Sequence, residues 1–542
     1  MALAADRGTQ RRPPRGSHRR RHPDDGLPYL PVPPDDQEKV SYADRNIALI
    51  IRASLASFGA LLISQFKFIR VERPLLFLAP LLVFTVLYYL ISLCVNINTR
   101  AFDIEAHRRL VSAWRPYRYP SLDIFLPVCG EPLAVLHNTW SYVYELMKTY
   151  PGTATAYILD DGAGQGVAAM ARDYGFVYMV RPDNGWMKKA GNLRHAFTYS
   201  FGDYILILDA DFAPRADMAL EMLPYLEADP SLGIVQSPQY FHVTRGQSWT
   251  ERGAGAVQEL FYRITQVSRD QHDGAICVGS CALYRRDALR VNGGTTLIEH
   301  SEDVHTGFDL RRNGWGLRYI PVPLATGLCP ADPDSFLTQQ YRWCAGSMSL
   351  LGSRKFWTTK MRWRTRFCYL SGFCYYLHTA AFIFAAPVIP LAMLLLLPER
   401  VHLINYMFVL PSIIYNFAVF PAWHRCRFGP SALMAKLMYG WAHLIAIWDI
   451  VRGRRMGWQT TGGVKRKSGT QRIWTGIALW NGTTSVSWML IALWRGSQFG
   501  AANFSVLFAG GVVASVTTGM ALFSRRNHVQ TMQARARELR VR

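Results

Sequence analysis

Six apolar runs constrain this chain more than any other feature. Crossing a bilayer as a helix takes about 20 mostly apolar residues. Runs of that length occupy residues 47–66, 76–96, 377–397, 402–423, 473–494 and 501–523. Arg52 and His402 lie near the ends of their runs, where a polar side chain reaches the interface. Between residues 98 and 365 no such run occurs, so that block reads as one large water-exposed domain. A chain of 542 residues has room for about three domains, or for one domain set in a membrane frame. The pattern selects the second.

Charge gives an expected orientation. The chain has 60 Lys+Arg against 38 Asp+Glu, a formal +22. A surplus of that kind points to nucleic acid, anionic lipid or a phosphorylated substrate. The surplus is concentrated in the N-terminal tail, in 452–472 and in 525–542. Six spans put all three on one side together with the central block, and the positive-inside rule makes that side the cytoplasm. The short loop 67–74, with Lys67, Arg70 and Arg73, runs against the rule and is outweighed. Residues 433–450 could be a seventh span. That would strand the C-terminal arginines outside, so the segment reads as an interfacial helix.

The expected organisation is therefore a disordered basic tail (1–45), two transmembrane helices (46–97), the large central domain with interfacial helices at its end (98–365), two spans (366–424), an interfacial helix and loop (425–472), two spans (473–523) and a basic tail (524–542). The expected location is a multi-pass protein of the plasma membrane with both termini and the central block cytoplasmic. No aromatic residues interleave with the tail arginines, so nucleic acid is not expected as a partner. Nine cysteines need no disulfides in that compartment, and Cys277 and Cys281 lack the second ligand pair that zinc would need.

Inside the block, short apolar runs alternate with helical stretches at 133–150 and 166–174. The runs at 121–126, 155–159, 176–180, 204–208 and 233–235 predict a parallel α/β sheet. Such sheets bind ligands beyond the C-terminal ends of their strands, and acidic residues fall there. Glu131 follows the first run, Asp160-Asp161-Gly162 the second and Asp209-Ala210-Asp211 the fourth. Crowded carboxylates raise one another's pKa, so a cation should balance them. Asp-x-Asp at a buried strand end suits Mg²⁺ or Mn²⁺, hard cations that share their shell with phosphate oxygens. Alone, the same tripeptide is also an ordinary surface loop. Lys188-Lys189-Ala190-Gly191-Asn192 places a lysine beside a glycine, a point charge for phosphate or else a solvated helix start.

The order of motifs is more specific than any one of them. Asp160-Asp161-Gly162, Lys189-Ala190-Gly191-Asn192, Asp209-Ala210-Asp211, Ser301-Glu302-Asp303 and Gln339-Gln340-Tyr341-Arg342-Trp343 occur in sequence inside a membrane frame. This resembles the processive family 2 glycosyltransferases of the cellulose synthase superfamily, which includes chitin and hyaluronan synthases. The resemblance covers about residues 45–525 and implies an α/β GT-A (Rossmann-like) catalytic domain inserted in an α-helical integral membrane protein. It implies that Asp160 or Asp161 contacts the uracil of a UDP-sugar and that Glu131 and Lys189 help bind the nucleotide. Asp209 and Asp211 would hold the diphosphate and its divalent metal, and Asp303 would be the general base. Gln339 and Arg342 would meet the diphosphate, and Trp343 would stack on the acceptor sugar. Gly279 and Ser280 match the loop near the acceptor, with Val278 where cellulose synthases often carry cysteine. Ser301 replaces the usual threonine and keeps the hydroxyl. The stretch 458–465 occupies the place of the gating loop without reproducing its pattern, so Thr460 or Thr461, with Lys465, would supply phosphate contacts. No residues remain after the last span for a cyclic-dinucleotide sensor of the kind found in regulated bacterial cellulose synthases.

The resemblance implies a processive, inverting transferase that polymerises a nucleotide-activated sugar, UDP-glucose by preference, into a β-linked polysaccharide and moves it across the bilayer. A non-processive family 2 enzyme acting on a lipid carrier, or a chitin-, mannan- or hyaluronan-type synthase, is the alternative. A transporter or scaffold with a vestigial nucleotide fold would keep its function in Asp303→Asn. Accessory subunits are not specified by the sequence.

Overall fold

A computed structural model of the chain describes residues 30–43, 46–244, 246–426, 428–454, 456 and 469–541. Nine strands are present among the described residues: β1 Leu122–Val128, β2 Ala154–Asp160, β3 Val177–Met179, β4 Tyr204–Ile207, β5 Ala213–Pro214, β6 Leu232–Gln236, β7 Ala282–Arg285, β8 Gly316–Tyr319 and β9 Ala325–Thr326. Seven of them form one sheet in the order β3-β2-β1-β4-β7-β6-β8, and β5 pairs with β9. β1, β2 and β4 are apolar nearly without interruption because helices cover both faces of the sheet. Leu136, Trp140 and Val143 of the helix Leu133–Thr149 pack on one face with Ile124, Leu126 and Ile158.

The sheet is mixed, not wholly parallel. β7 runs antiparallel to both β4 and β6, with Ile207 opposite Ala282. The consequence is functional. A parallel strand delivers the residues that follow it to the binding edge, whereas an antiparallel strand delivers those that precede it. Gly279 and Ser280 therefore sit beside Asp209 at the end of β4, and the Ser280 hydroxyl accepts the Asp209 backbone N–H at 2.9 Å.

The N-terminal segment also departs from expectation. Residues 30–43, expected within a disordered tail, fold against the catalytic block and contain the helix Asp36–Ser41. Asp35 and Glu38 form a capping box. Lys39 bridges Asp217 at 3.0 Å and Glu221 at 2.7 Å, and Tyr42 enters the core. Local capping, two ion pairs and one buried ring supply what the arginine-rich composition upstream lacks.

Among the described residues, four helical stretches are long and apolar enough to cross a membrane by length and composition: Ile47–Lys67, Leu75–Asn96, Trp363–Leu396 and Ala501–Arg526. The expected run at 402–423 is helical in pieces, with a 3-10 segment Leu403–Phe408 and a π segment Tyr415–Val419. That at 473–494 is interrupted by the π segment Ile477–Gly482. Prolines 411 and 421 remove backbone donors in the first case. The 433–450 segment lies in the helix Pro430–Val451, which packs against the helices Trp249–Leu260, Pro333–Leu351 and Trp363–Ala385.

Candidate active site

The turn after β2 is built first, because everything near it depends on two adjacent aspartates with different tasks. Asp160 is 1% exposed. Its carboxylate accepts the N–H groups of Gly162 (2.7 Å) and Gly164 (2.9 Å) and the hydroxyl of Tyr178 (2.9 Å). That carboxylate shapes the loop and lies beneath the cavity wall; of the two residues proposed for uracil contact, Asp161 alone lines the cavity among the described residues. Asp161 in turn takes a two-pronged hydrogen bond from Arg181, at 2.7 and 2.8 Å. A planar guanidinium fits a carboxylate in this way where an ammonium could not.

Arg181 was not singled out from sequence, since it stands in no motif. It is buried at 2% exposure and also donates to the carbonyls of Trp186 (2.6 Å) and Lys188 (3.1 Å). This explains the glycine of Lys189-Ala190-Gly191-Asn192. Those residues lie in a helix, Lys188–Tyr199, rather than in a phosphate-binding glycine turn. A Cβ on Gly191 would collide with the Trp186 carbonyl and the Arg181 guanidinium. Asn192 donates to the Leu159 carbonyl at 2.7 Å and fastens the helix to β2.

Lys189 points into the cavity. Its ammonium meets Asp209 at 2.5 Å, the Gly279 carbonyl at 2.9 Å and Glu302 at 3.8 Å. Burial pulls its pKa down, and Asp209 and Glu302 more than reverse that, so it stays charged. Asp211 is pushed up to about 8, by burial first and then by Asp209 and Glu131. Glu131 is held above its ordinary range by burial, with Asp209 and Asp160 adding to it, despite the 2.6 Å N–H bond from Cys129.

Asp209 and Asp211 fit a hard divalent cation. Both offer carboxylate oxygens, and Asp211 is buried beside Asp209 and Glu131, which together with that burial raise its pKa. Among the described residues no group of three or more His, Cys, Asp or Glu is arranged to hold a metal by itself. An ion shared between these two carboxylates and a substrate's phosphate oxygens matches such a donor set.

Asp303 lies at the start of the helix Glu302–Arg312, after Ser301, whose backbone is left-handed at φ +55°. Its Oδ1 accepts the Val304 N–H at 2.8 Å. Burial, then Glu302, pushes its pKa up to about 7, against the pull of Lys189. Gly279 and Ser280 were expected at the acceptor. Ser280 is fully buried, and neither residue lines the cavity among the described residues. They act on their neighbours instead: Ser280 holds Asp209, and Gly279 (φ +74°) leaves room for Asp303.

The helix Pro333–Leu351 carries the Gln-x-x-Arg-Trp residues. Asp332 caps it through the N–H groups of Asp334 and Ser335, both at 3.1 Å. Spacings of three and four put Gln339, Arg342 and Trp343 on one face, and all three line the cavity. Gln339 Oε1 and Arg342 Nε are buried without partners among the described residues. Burial lowers the Arg342 pKa, which Glu302 and Asp209 partly offset. A side chain on Gly346 would strike Ser301, so this glycine brings the helix against the Asp303 turn. Behind it, Tyr341 donates to Asp449 at 3.0 Å, and Arg472 grips the same carboxylate at 2.7 and 2.8 Å. Thr460, Thr461 and Lys465 lie outside the described residues.

These groups share one cavity of about 1130 Å³. Asp161, Lys189, Asp209, Asp211, Asp303, Arg342 and Trp343 all line it. The same cavity reaches Ser54, Phe58 and Tyr88 of the first two apolar helices and Tyr375 and Tyr376 of the third.

Residues 204–419 match the family model described as glycosyl transferase family group 2. The catalytic subunit of cellulose synthase 1 from Komagataeibacter xylinus, described as UDP-forming, is 32% identical over 243 residues, covering 43% of this chain and 32% of that protein. The cellulose synthase catalytic subunit of Xanthomonas axonopodis pv. citri is 31% identical over 253 residues, covering 46% of this chain and 33% of that protein. The chain thus spans about a third of the length of these relatives. A mannosyltransferase from Pyrobaculum calidifontis, solved with GDP-Man and Mn²⁺, aligns at a TM-score of 0.46 and 15% identity, over 74% of this chain and 99% of that one. The matched model and the sequence relatives agree: residues 204–419 form a domain of glycosyl transferase family group 2, in a chain similar over nearly half its length to cellulose synthase catalytic subunits.

Proposed function

We propose that this chain is an inverting transferase that extends a β-linked glycan from a nucleotide-diphosphate sugar, with UDP-glucose the first donor to test, and passes the product outward among its apolar helices. One observation carries the reading: a single cavity contains the acidic donor end, Asp303 and the Gln-x-x-Arg-Trp face, and continues between apolar helices.

The proposed chemistry follows from the side chains. A sugar hydroxyl is a poor nucleophile until a base removes its proton. Asp303, with a pKa near 7, is ionised enough at neutral pH to accept that proton and basic enough to hold it. The hydroxyl oxygen forms its bond to the anomeric carbon as the carbon–oxygen bond to the diphosphate breaks, and the electron pair leaves with the nucleotide. A single displacement inverts the centre, so an α-linked donor yields a β-linkage. Arg342 and Lys189 face the departing diphosphate with fixed positive charge. Mg²⁺ or Mn²⁺ held by Asp209 and Asp211 would supply further neutralisation of that charge. Trp343 offers an aromatic plane to the apolar face of the acceptor sugar. Asp161, fixed by Arg181, is the group offered to the base of the nucleotide. Glu131 closes the acidic end of the cavity. The bilayer and the growing glycan are the partners in this scheme, with the catalytic block on the cytoplasmic side.

The test uses full-length protein in detergent with a panel of radiolabelled UDP- and GDP-sugars, followed by digestion of the product with linkage-specific hydrolases. The parent should release nucleotide from at least one donor and make a hydrolase-sensitive polymer. Asp303→Asn should lower the rate by about 10²–10⁴-fold while retaining nucleotide binding. A parent inactive with every donor, or an unimpaired Asp303→Asn, refutes the proposal.

A further inference from the structure

Four arginines are buried among the described residues: Arg181, Arg263, Arg269 and Arg286. Three have a carboxylate partner, in Asp161, Glu259 and Asp123 respectively. Arg269, 4% exposed, has none among the described residues. Its Nη2 donates to the Ser371 hydroxyl at 3.4 Å, and its Nε is buried without a partner among the described residues. The Phe261 ring lies 5.9 Å from the guanidinium carbon. Burial pulls its pKa down, and what pushes back is the Cys368 thiol and the Tyr376, Tyr369 and Tyr88 phenols, not an acid.

A buried cation without an anion is costly, and proteins keep one where a ligand completes it. Arg269 lines the main cavity, as do Tyr88, Tyr375 and Tyr376 of the apolar helices. It sits in the short helix Gln266–Asp270, onto which the first apolar pair is tied by a 2.5 Å bond between Thr99 and Ser268. Gly372, on the helix Trp363–Ala385, leaves space for it: a Cβ there would stand 2.7 Å from Nη2. The guanidinium is thus set at the join between catalytic block and apolar helices, in a seat that a glycine keeps open. Arg342, the cavity arginine proposed to face the diphosphate, likewise has no ion pair among the described residues.

We propose that Arg269 binds an oxyanion carried by the acceptor as it moves from the catalytic block toward the apolar helices. This rests on the glycosyltransferase reading above and narrows its substrate class. The anion fits a uronate carboxylate on the glycan, and a phosphate joining the glycan to a polyprenyl carrier presents the same chemistry. The acceptor is then acidic or lipid-phosphate-linked, not an all-neutral glucan.

Equilibrium binding to the full chain in detergent tests this with three probes: a uronate-containing tetrasaccharide, the same tetrasaccharide with its carboxyls reduced to alcohols, and polyprenyl phosphate. Charge-assisted hydrogen bonds are about twice as strong as neutral ones. The parent should therefore bind at least one anionic probe about tenfold more tightly than the neutral tetrasaccharide. Arg269→Gln should cut that preference to about twofold or less with neutral binding unchanged, and its melting midpoint should not fall, since an unpaired buried charge is removed. Arg269→Lys, which keeps the charge but loses the planar fork, should retain part of the preference and serves if the glutamine variant does not fold. Preference for the tetrasaccharide assigns the anion to the glycan, and preference for polyprenyl phosphate assigns it to the carrier. No preference in the parent, or full preference in both variants, overturns the inference. Nucleotide release by the parent and by Asp303→Asn reports separately on the parent reaction, so either reading can fail alone.

Discussion

Replacing Gly279 with alanine should disable the site without touching a residue that contacts substrate. Gly279 has φ +74°, and an ideal Cβ built on it lies 2.9 Å from both Cβ and Oδ2 of Asp303. Carbon atoms rest comfortably at roughly 3.5–4 Å, so Asp303 or the 278–280 loop must move by roughly 0.5–1 Å. Displacements near 1 Å in reacting groups cost about 10²-fold in rate. The left-handed backbone adds about 1–2 kcal/mol of strain for any residue with a Cβ. Gly314 separates the two effects. It has φ +90° and nothing within 4 Å of its ideal Cβ, so Gly314→Ala carries the strain without the collision. Radiometric sugar transfer and thermal melting should be measured on both variants. Both should lose comparable stability, and Gly279→Ala alone should lose about 10²-fold in kcat with nucleotide affinity nearly unchanged. Equal kcat in the two variants would show that Asp303 does not depend on the space Gly279 leaves.

Three further outcomes are expected. Because Asp303 must be ionised to accept a proton and its pKa is pushed up to about 7, kcat/KM should rise with pH and bend near 7; a limb near 4 would mean another base. Asp211→Asn removes one of the two carboxylates that fit a divalent ion, so Mn²⁺ binding followed by electron paramagnetic resonance should weaken markedly, and unchanged binding would exclude the pair as ligands. Arg472→Met leaves Asp449, whose side chain is 0% exposed, without its guanidinium. Burial raises the Asp449 pKa, but the bonds from Arg472 and Tyr341 bring it below its usual 3.8. The stabilisation is therefore present at neutral pH and lost as pH falls below about 4. Denaturation at pH 7 should show a loss of about 1–3 kcal/mol, reduced because Arg472 is half exposed, and the loss should shrink in acid. A loss independent of pH would mean that Arg472 acts through packing.

The motifs that were legible share a physical property: their residues are consecutive. Asp209-Ala210-Asp211 follows an apolar strand, and Gln339, Arg342 and Trp343 fall on one helical face by spacing alone. Arg181 and Arg269 carried no such signal, because a lone arginine reads as a solvated charge until its burial is known. Asp160 and Asp161 are indistinguishable as letters. In the fold one faces inward and ties the loop while its neighbour reaches the cavity. Gly279 and Ser280 stand beside Asp303 and Asp209 because β7 runs antiparallel, a course that leaves no periodicity mark in a four-residue strand.

Local order along the chain determined which segments could enter a bilayer, which could form buried strands, and which acids would stand at strand ends. It did so because hydrophobic periodicity and strand-end position are properties of neighbours in sequence. Tertiary structure decided how charge is matched: Arg181 with Asp161, Lys189 with Asp209, Arg472 with Asp449, and Arg269 with no acid among the described residues. Those pairings depend on burial and on distances between residues far apart in the chain, and a buried charge takes its meaning from what lies within a few ångströms of it.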